Sequence, residues 1–236
     1  MQEKLPIGIF DSGFGGLSVA KSIHNLLPKE DLLYVADSAF TPYGDMQEIH
    51  IVERAILISD FLINKKHSKA IVVACNTATA FSVNVLRERF NVPVIGMEPA
   101  VKPAIKVTLN NKVGVLATSG TSKSAKFSAL LEKYSGVVKF FIQPCPGLVN
   151  AIEKGSFDDE ELFELLKKYL VKFKKNGVDT IVLGCTHFVY IKHLITKIMG
   201  ANIKIVDTGE AVARQLKIKL EEFNLRADSS EPSVEM

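Results

Sequence analysis

The sequence predicts an α/β fold of two similar three-layer lobes with mostly parallel sheets, related by a pseudo-two-fold axis, with a site in the cleft between them. Three observations carry that prediction. Strand-length apolar runs alternate with stretches of helical periodicity, the pattern of repeated βα units. Lys112-Val113-Gly114-Val115-Leu116-Ala117-Thr118-Ser119-Gly120 resembles Pro6-Ile7-Gly8-Ile9-Phe10-Asp11-Ser12-Gly13, so the pattern restarts half-way along the chain, as after a duplication. Finally, Ile71-Val72-Val73-Ala74-Cys75-Asn76-Thr77 and Ile181-Val182-Leu183-Gly184-Cys185-Thr186-His187 each run an apolar strand into a cysteine followed by polar residues, 110 residues apart.

In the first half, Leu5 to Asp11 reads as a short strand, Gly13 to Gly16 as a flexible turn, and Leu17 to Leu27 as an amphipathic helix ended by Pro28. Asp31 to Ala36 is a second strand, Asp37 to Gly44 a loop, and Ile49 to Lys65 a long helix. The Cys75 strand follows, then a helix from about Ala78 to Phe90 and a strand from Val92 to Gly96. In the second half, Phe157 to Lys175 is a Lys-rich amphipathic helix, Thr180 to Gly184 leads to Cys185, and Ile203 to Val206 is a further strand. A last helix, Glu210 to Phe223, is expected to pack back on the first half. The expected domains are therefore 1–97 with 208–225, and 98–207, followed by a polar, flexible tail at 226–236.

Composition narrows the function. A chain of 236 residues that is 47% hydrophobic buries a sizeable core. The net charge of +3 comes from 29 basic and 26 acidic residues, and the Lys65-Lys66, Lys167-Lys168 and Lys174-Lys175 pairs read as solvated helix faces. Without an aromatic-basic platform, nucleic acid is not an expected partner. The longest apolar runs are strand-sized and the amino terminus has no signal-peptide core, so no membrane association is expected and the expected location is cytoplasmic. Three cysteines, 75, 145 and 185, without CxxC spacing argue against a disulfide framework and against structural zinc; no metal is expected. Cys145, between Pro144 and Pro146, is assigned to packing.

In parallel α/β sheets, ligands bind beyond the carboxyl ends of the strands. Asp11-Ser12, Cys75-Asn76-Thr77, Thr118 and Cys185-Thr186-His187 all occupy such ends. Each has a plainer reading: Asp11 as a turn or helix cap, Asn76 and Thr77 as helix caps, Tyr43-Gly44 as a turn, His187 as a loop histidine. Convergence of all of them on strand ends favours one shared site. Gly13-Phe14-Gly15-Gly16 invites a dinucleotide reading, but Ser18 stands where the third glycine of GxGxxG would fall and Asp11 would repel a pyrophosphate. Two thiols facing one carbon suit proton transfer across a planar intermediate, because a thiol, unperturbed at ~8.5, is poised as thiol or thiolate by modest changes around it.

These residues closely resemble the glutamate racemase family. The matching segments are Asp11-Ser12-Gly13-Phe14-Gly15-Gly16-Leu17-Ser18-Val19, Pro42-Tyr43-Gly44, Ala74-Cys75-Asn76-Thr77-Ala78, Glu98-Pro99-Ala100, Leu116-Ala117-Thr118 and Gly184-Cys185-Thr186-His187-Phe188, in the family's order. The resemblance implies cofactor-independent interconversion of L- and D-glutamate, supplying the D-isomer for peptidoglycan, by a homodimer. It implies that Cys75 and Cys185 are the acid–base pair, with Asp11 assisting the first and His187 the second, and that Glu153 stands near the site. Ser12, Pro42, Tyr43, Gly44, Asn76, Thr77, Thr118, Thr121 and Thr186 would hold the substrate. The chain departs from the family at Phe40-Thr41, where many members carry a basic residue, and at Val189, where Pro is common. Aspartate or hydantoin racemases keep both cysteines, and the Asp11-Ser12-Gly13 segment favours glutamate. A cysteine-pair redox protein would call for CxxC, and a non-enzymatic two-lobed binding protein would bury both thiols beyond the reach of reagents.

Overall fold

The computed structural model describes residues 4–157, 159–227 and 234–235. It divides into two compact units, Met1–Met97 with Thr208–Met236, and Glu98–Asp207. Among the described residues no helix is long and apolar enough to cross a membrane, and no cluster of side chains is arranged to hold a metal ion.

The first unit contains β1 (Ile7–Asp11), α1 (Leu17–Leu26), β2 (Leu32–Ala36), α2 (Glu48–Asp60), β3 (Ala70–Val73), α3 (Asn76–Arg89) and β4 (Val94–Gly96). The second contains α4 (Val101–Val107), β5 (Lys112–Ala117), α5 (Ser119–Lys123), α6 (Ala125–Glu132), β6 (Lys139–Pro144), α7 (Leu148–Glu153), α8 (Glu160–Asn176), β7 (Thr180–Gly184), α9 (Lys192–Met199) and β8 (Lys204–Val206). The chain then returns to the first unit as α10 (Gly209–Glu222), and Val234–Glu235 forms β9.

Among the described residues all strand pairs are parallel, in the order β4-β3-β1-β2-β9 in one sheet and β6-β5-β7-β8 in the other. Read backwards, the second order is β8-β7-β5-β6, which is the core of the first with every strand shifted by four. The repeat in the sequence is thus a repeat of topology, and Cys75 and Cys185 follow equivalent strands.

Both central strands of the first unit are buried on both faces, hence their unbroken apolar runs. The two-residue period sorts them. Ile7, Ile9, Ala70, Val72 and Ala74 pack with α1 and α10 through Val19, Ile23, Val212, Ala213, Leu216 and Leu220. Phe10, Ile71, Val73 and Cys75 pack on the other face with Tyr43, Ile51, Ala55, Ile58, Ala78 and Leu86. In the second unit Val113, Val115 and Val182 pack with Ala104 and Phe127, while on the opposite face a Cβ on Gly114 would lie 2.6 Å from the Phe173 ring of α8.

Several boundaries differ from the sequence expectation. The helix expected from Ile49 to Lys65 ends as α-helix at Asp60 and finishes in a π-turn over Phe61–Lys65. The helix expected from Ala78 starts at Asn76, capped by Cys75 itself. The strand expected from Val92 starts only after Pro93, which has no N–H to donate to a ladder. The helix expected from Phe157 starts at Glu160, because Asp159 caps it by accepting the Glu161 N–H. Of the tail expected to be flexible, the Ala227 N–H donates to Glu30 Oε1 and Val234–Glu235 pairs with β2; residues 228–233 and 236, like 1–3 at the other end, lie outside the described residues.

Candidate active site

Register places the candidate residues of the first unit side by side. Phe10 pairs with Val73, so Ser12 and Cys75 stand level just beyond the ends of adjacent strands, and the Cys75 thiol donates to Ser12 Oγ at 3.8 Å. The same sulfur accepts the Ala78 N–H at 3.4 Å, making Cys75 the N-cap of the 14-residue helix α3. A sulfur there meets unsatisfied backbone N–H groups and the positive end of the helix dipole, which favour a thiolate.

Asp11 is fully buried, and its carboxylate accepts the Ser12 N–H at 2.7 Å and the Gly16 N–H at 2.6 Å. It therefore holds the glycine turn in shape, as its plainer reading said, while Ser12 links it to the thiol. Asn76 and Thr77, buried in the first turn of α3, are not its cap. Asn76 Nδ2 donates to the Met97 carbonyl at 3.5 Å, whereas its Oδ1 is buried without a hydrogen-bond partner among the described residues, an acceptor suited to an ammonium group. Pro42 precedes a single 3₁₀ turn in which Tyr43 and Gly44 are buried, with Tyr43 in the same apolar cluster as Cys75.

In the second unit Ala117 pairs with Gly184, so Thr118 and Cys185 stand level as Ser12 and Cys75 do. Thr118 Oγ1 donates to Thr121 Oγ1 at 3.0 Å and accepts the Thr121 N–H at 3.1 Å, so the two buried threonines form one unit. Cys185 opens a 3₁₀ turn over Thr186–Ile191 that brings His187 Nδ1 to 3.7 Å from its sulfur, with Thr186 Oγ1 3.4 Å from the same ring nitrogen. On the far side of the ring, Nε2 lies 2.5 Å from Glu153 Oε1 at the end of α7. Cys185, His187 and Glu153 thus form a thiol–imidazole–carboxylate chain, in which the carboxylate orients the ring and favours its protonated form.

The assisting groups of the two thiols therefore differ: a hydroxyl and a helix terminus beside Cys75, an imidazole backed by a carboxylate beside Cys185. Cys145 is closer to this chemistry than its sequence context implied. Burial and the field of Cys185 both push its thiol up, so it stays protonated, and it donates to the Gln143 carbonyl at 3.3 Å. It lies two strands from Cys185 across β5, roughly 9–10 Å, too far for a disulfide, which needs Cα atoms within about 7 Å.

Sequence reasoning passed over Asp37 and Arg54. Asp37 follows β2, its N–H donating to the Asp11 carbonyl at 2.9 Å, so the rule that singled out Asp11 would have found it. Nothing local marks Arg54, which reaches Asp37 from 17 residues away.

Known proteins complete the description. Residues 7–216 match the family model for Asp/Glu/hydantoin racemases. A glutamate racemase of Ectopseudomonas mendocina is 49% identical over 227 residues, 96% of this chain and 86% of that one. The crystal structure of glutamate racemase isoform RacE1 from Bacillus anthracis superposes with a TM-score of 0.89 at 34% identity, covering 98% of this chain and 87% of that one. The Escherichia coli glutamate racemase, in complex with L-glutamate and the activator UDP-MurNAc-Ala, gives a TM-score of 0.87 at 34% identity, covering 98% and 88%.

Proposed function

The chain belongs to the Asp/Glu/hydantoin racemase family, and we propose that it interconverts L- and D-glutamate without a cofactor, Cys75 and Cys185 acting as the two acid–base groups. The observation that carries this reading is that equivalent strands of two duplicated sheets, β3 and β7, each end in a buried thiol with its own proton-handling neighbours.

Inversion at an α-carbon demands a base on one face and an acid on the other, since a single group would return the proton to the face it came from. In this reading one cysteine, as thiolate, takes the α-proton while the other, as thiol, donates to the opposite face, and the reverse reaction exchanges the roles. Ser12 and the Ala78 N–H stabilise the charge on Cys75 as it forms. His187, held by Glu153, does so for Cys185 and can return a proton to it. The carbanion needs its charge spread into the substrate carboxylate, so donors fixed beforehand matter most. Ser12, Tyr43, Gly44, Asn76, Thr77, Thr118, Thr121 and Thr186 are the groups assigned to the substrate's carboxylates and ammonium, with Pro42 beside them. Asp11 keeps the Ser12 turn in place. The reading extends to a cytoplasmic homodimer supplying D-glutamate to peptidoglycan.

The test is circular dichroism of pure D-glutamate incubated with the protein and no added cofactor, beside a parallel sample of D-aspartate. Decay of the glutamate signal to zero is the expected result. Decay with aspartate alone would reassign the substrate, and decay with neither would remove the activity.

A further inference from the structure

Asp37 lies in the same row of strand ends as Ser12 and Cys75, across β2, β1 and β3. It is 7% exposed, and three groups converge on its carboxylate. The Tyr43 hydroxyl donates to Oδ2 at 2.5 Å, Arg54 Nε donates to the same oxygen at 2.8 Å, and Arg54 Nη2 donates to Oδ1 at 2.6 Å. The Arg54 guanidinium also sits 3.9 Å from the centre of the Phe40 ring. The two 3₁₀ turns of the 38–45 segment, Ser38–Phe40 and Tyr43–Asp45, are thereby tied to one cation projecting from α2: Phe40 by stacking, Tyr43 through the shared carboxylate. A planar fork can engage both oxygens and a ring face together, which a lysine ammonium cannot.

Resting on the racemase reading, we propose that Arg54 is a positioning residue for the substrate-holding turn Pro42–Gly44: clamped on Asp37 and stacked on Phe40, it fixes the carboxylate that holds the Tyr43 hydroxyl, and so sets where the turn lies against Cys75. Arg54 touches neither thiol nor substrate in this assignment. It acts on a turn that binds the ground state and the transition state alike, so its loss weakens binding more than turnover.

The experiment compares Arg54→Lys, which keeps the charge and loses the fork, and Phe40→Ala, which removes the stacking surface, with the unsubstituted chain. Steady-state racemisation is measured together with iodoacetamide alkylation, the labelled cysteine being identified by peptide mass. Arg54→Lys is expected to raise KM for glutamate about ten-fold, the equivalent of one lost charge-assisted hydrogen bond, with kcat within about three-fold. Cys75 should be alkylated several times faster, with the Cys185 rate unchanged, and Phe40→Ala should move the same readouts in the same direction to a smaller extent. Any other pattern overturns the proposal: an unchanged KM, a fall in kcat at constant KM, an unchanged Cys75 rate, or a Cys185 rate that rises in step and so reports general loosening. If the unsubstituted protein leaves glutamate unchanged, the racemase reading falls, and the two alkylation rates still decide whether Arg54 holds the turn against Cys75.

Discussion

Each thiol is served by neighbours that come from its own lobe. If Cys75 and Cys185 are the two acid–base groups proposed, replacing either with Ala removes one of them, and racemisation should fall at least about 10³-fold in either case, followed by circular dichroism. Serine at either position should restore little, because a hydroxyl is a much weaker acid than a thiol. Asp11→Asn and His187→Asn act differently. On the proposed reading each leaves both sulfurs in place but disturbs a neighbour of one of them, Ser12 through its turn or the imidazole itself, so kcat should fall more than KM rises; the reverse split would make them binding residues. Because the two enantiomers have equal free energy, kcat/KM must fall equally in both directions for every variant. The asymmetry should therefore surface in solvent deuterium, which should enter the α-position from both enantiomers in the unsubstituted protein. In His187→Asn exchange into the starting enantiomer should differ with the enantiomer supplied. These residues were legible in the sequence because each stands at a strand end, where the backbone alone dictates convergence. Asp37 stands at a strand end as well and the same rule reaches it, but its pairing with Arg54 was not legible, since long-range side-chain partners leave no periodic trace.

At the scale of elements, the start of α3 shows why reading was harder near the chemistry. Cysteine is not among the usual N-cap residues, so the sequence pattern starts the helix two residues late, and the offset falls at the thiol proposed as an acid–base group. β6 and α4 to α7 went unassigned for a different reason. They are short, and β6 is an edge strand with several half-exposed residues, which blurs the two-residue alternation. The turn between β1 and α1 was legible from its glycines, and the structure adds why one of them cannot grow. Gly16 has φ of −65°, open to any residue, yet a Cβ there would lie 2.7 Å from Asp11 Cβ, 2.8 Å from Tyr34 Oη and 3.1 Å from Ala74 Cβ. The Tyr34 hydroxyl in turn donates to the Gly13 carbonyl at 2.7 Å, so the turn is gripped from both sides. Gly16→Ala should cost about 1–3 kcal/mol through overpacking alone. It should also lower kcat, because the atoms that must shift include Asp11. Urea denaturation beside racemisation checks both, and a variant of normal stability and turnover would show that the turn accommodates the methyl freely.

For the whole molecule, acid and alkaline conditions act on different groups. Asp179 is pushed up by burial but held below the usual carboxylate range by hydrogen bonds from the Thr108 and Thr180 hydroxyls and the Leu109 and Asn110 N–H groups. A depressed carboxyl contributes stability above its unfolded value that is lost as pH falls through the folded one, so the second unit should weaken in acid. The alkaline side follows from two groups raised by burial: Cys145, aided by the charge of Cys185, and Tyr43, aided by its hydrogen bond to Asp37. The folded chain keeps both neutral, whereas the unfolded chain ionises them near their ordinary values, the thiol below the phenol. For a raised group, stability is complete below the unfolded value and declines as pH climbs towards the folded one, by up to about 1.4 kcal/mol per pH unit for each group. Denaturant midpoints measured between neutral pH and the alkaline limit should therefore bend downwards first from Cys145 and then more steeply from Tyr43. Cys145→Ala should remove the earlier bend and Tyr43→Phe the later one. A pH profile identical in all three proteins would mean that neither buried group resists ionisation in the folded chain.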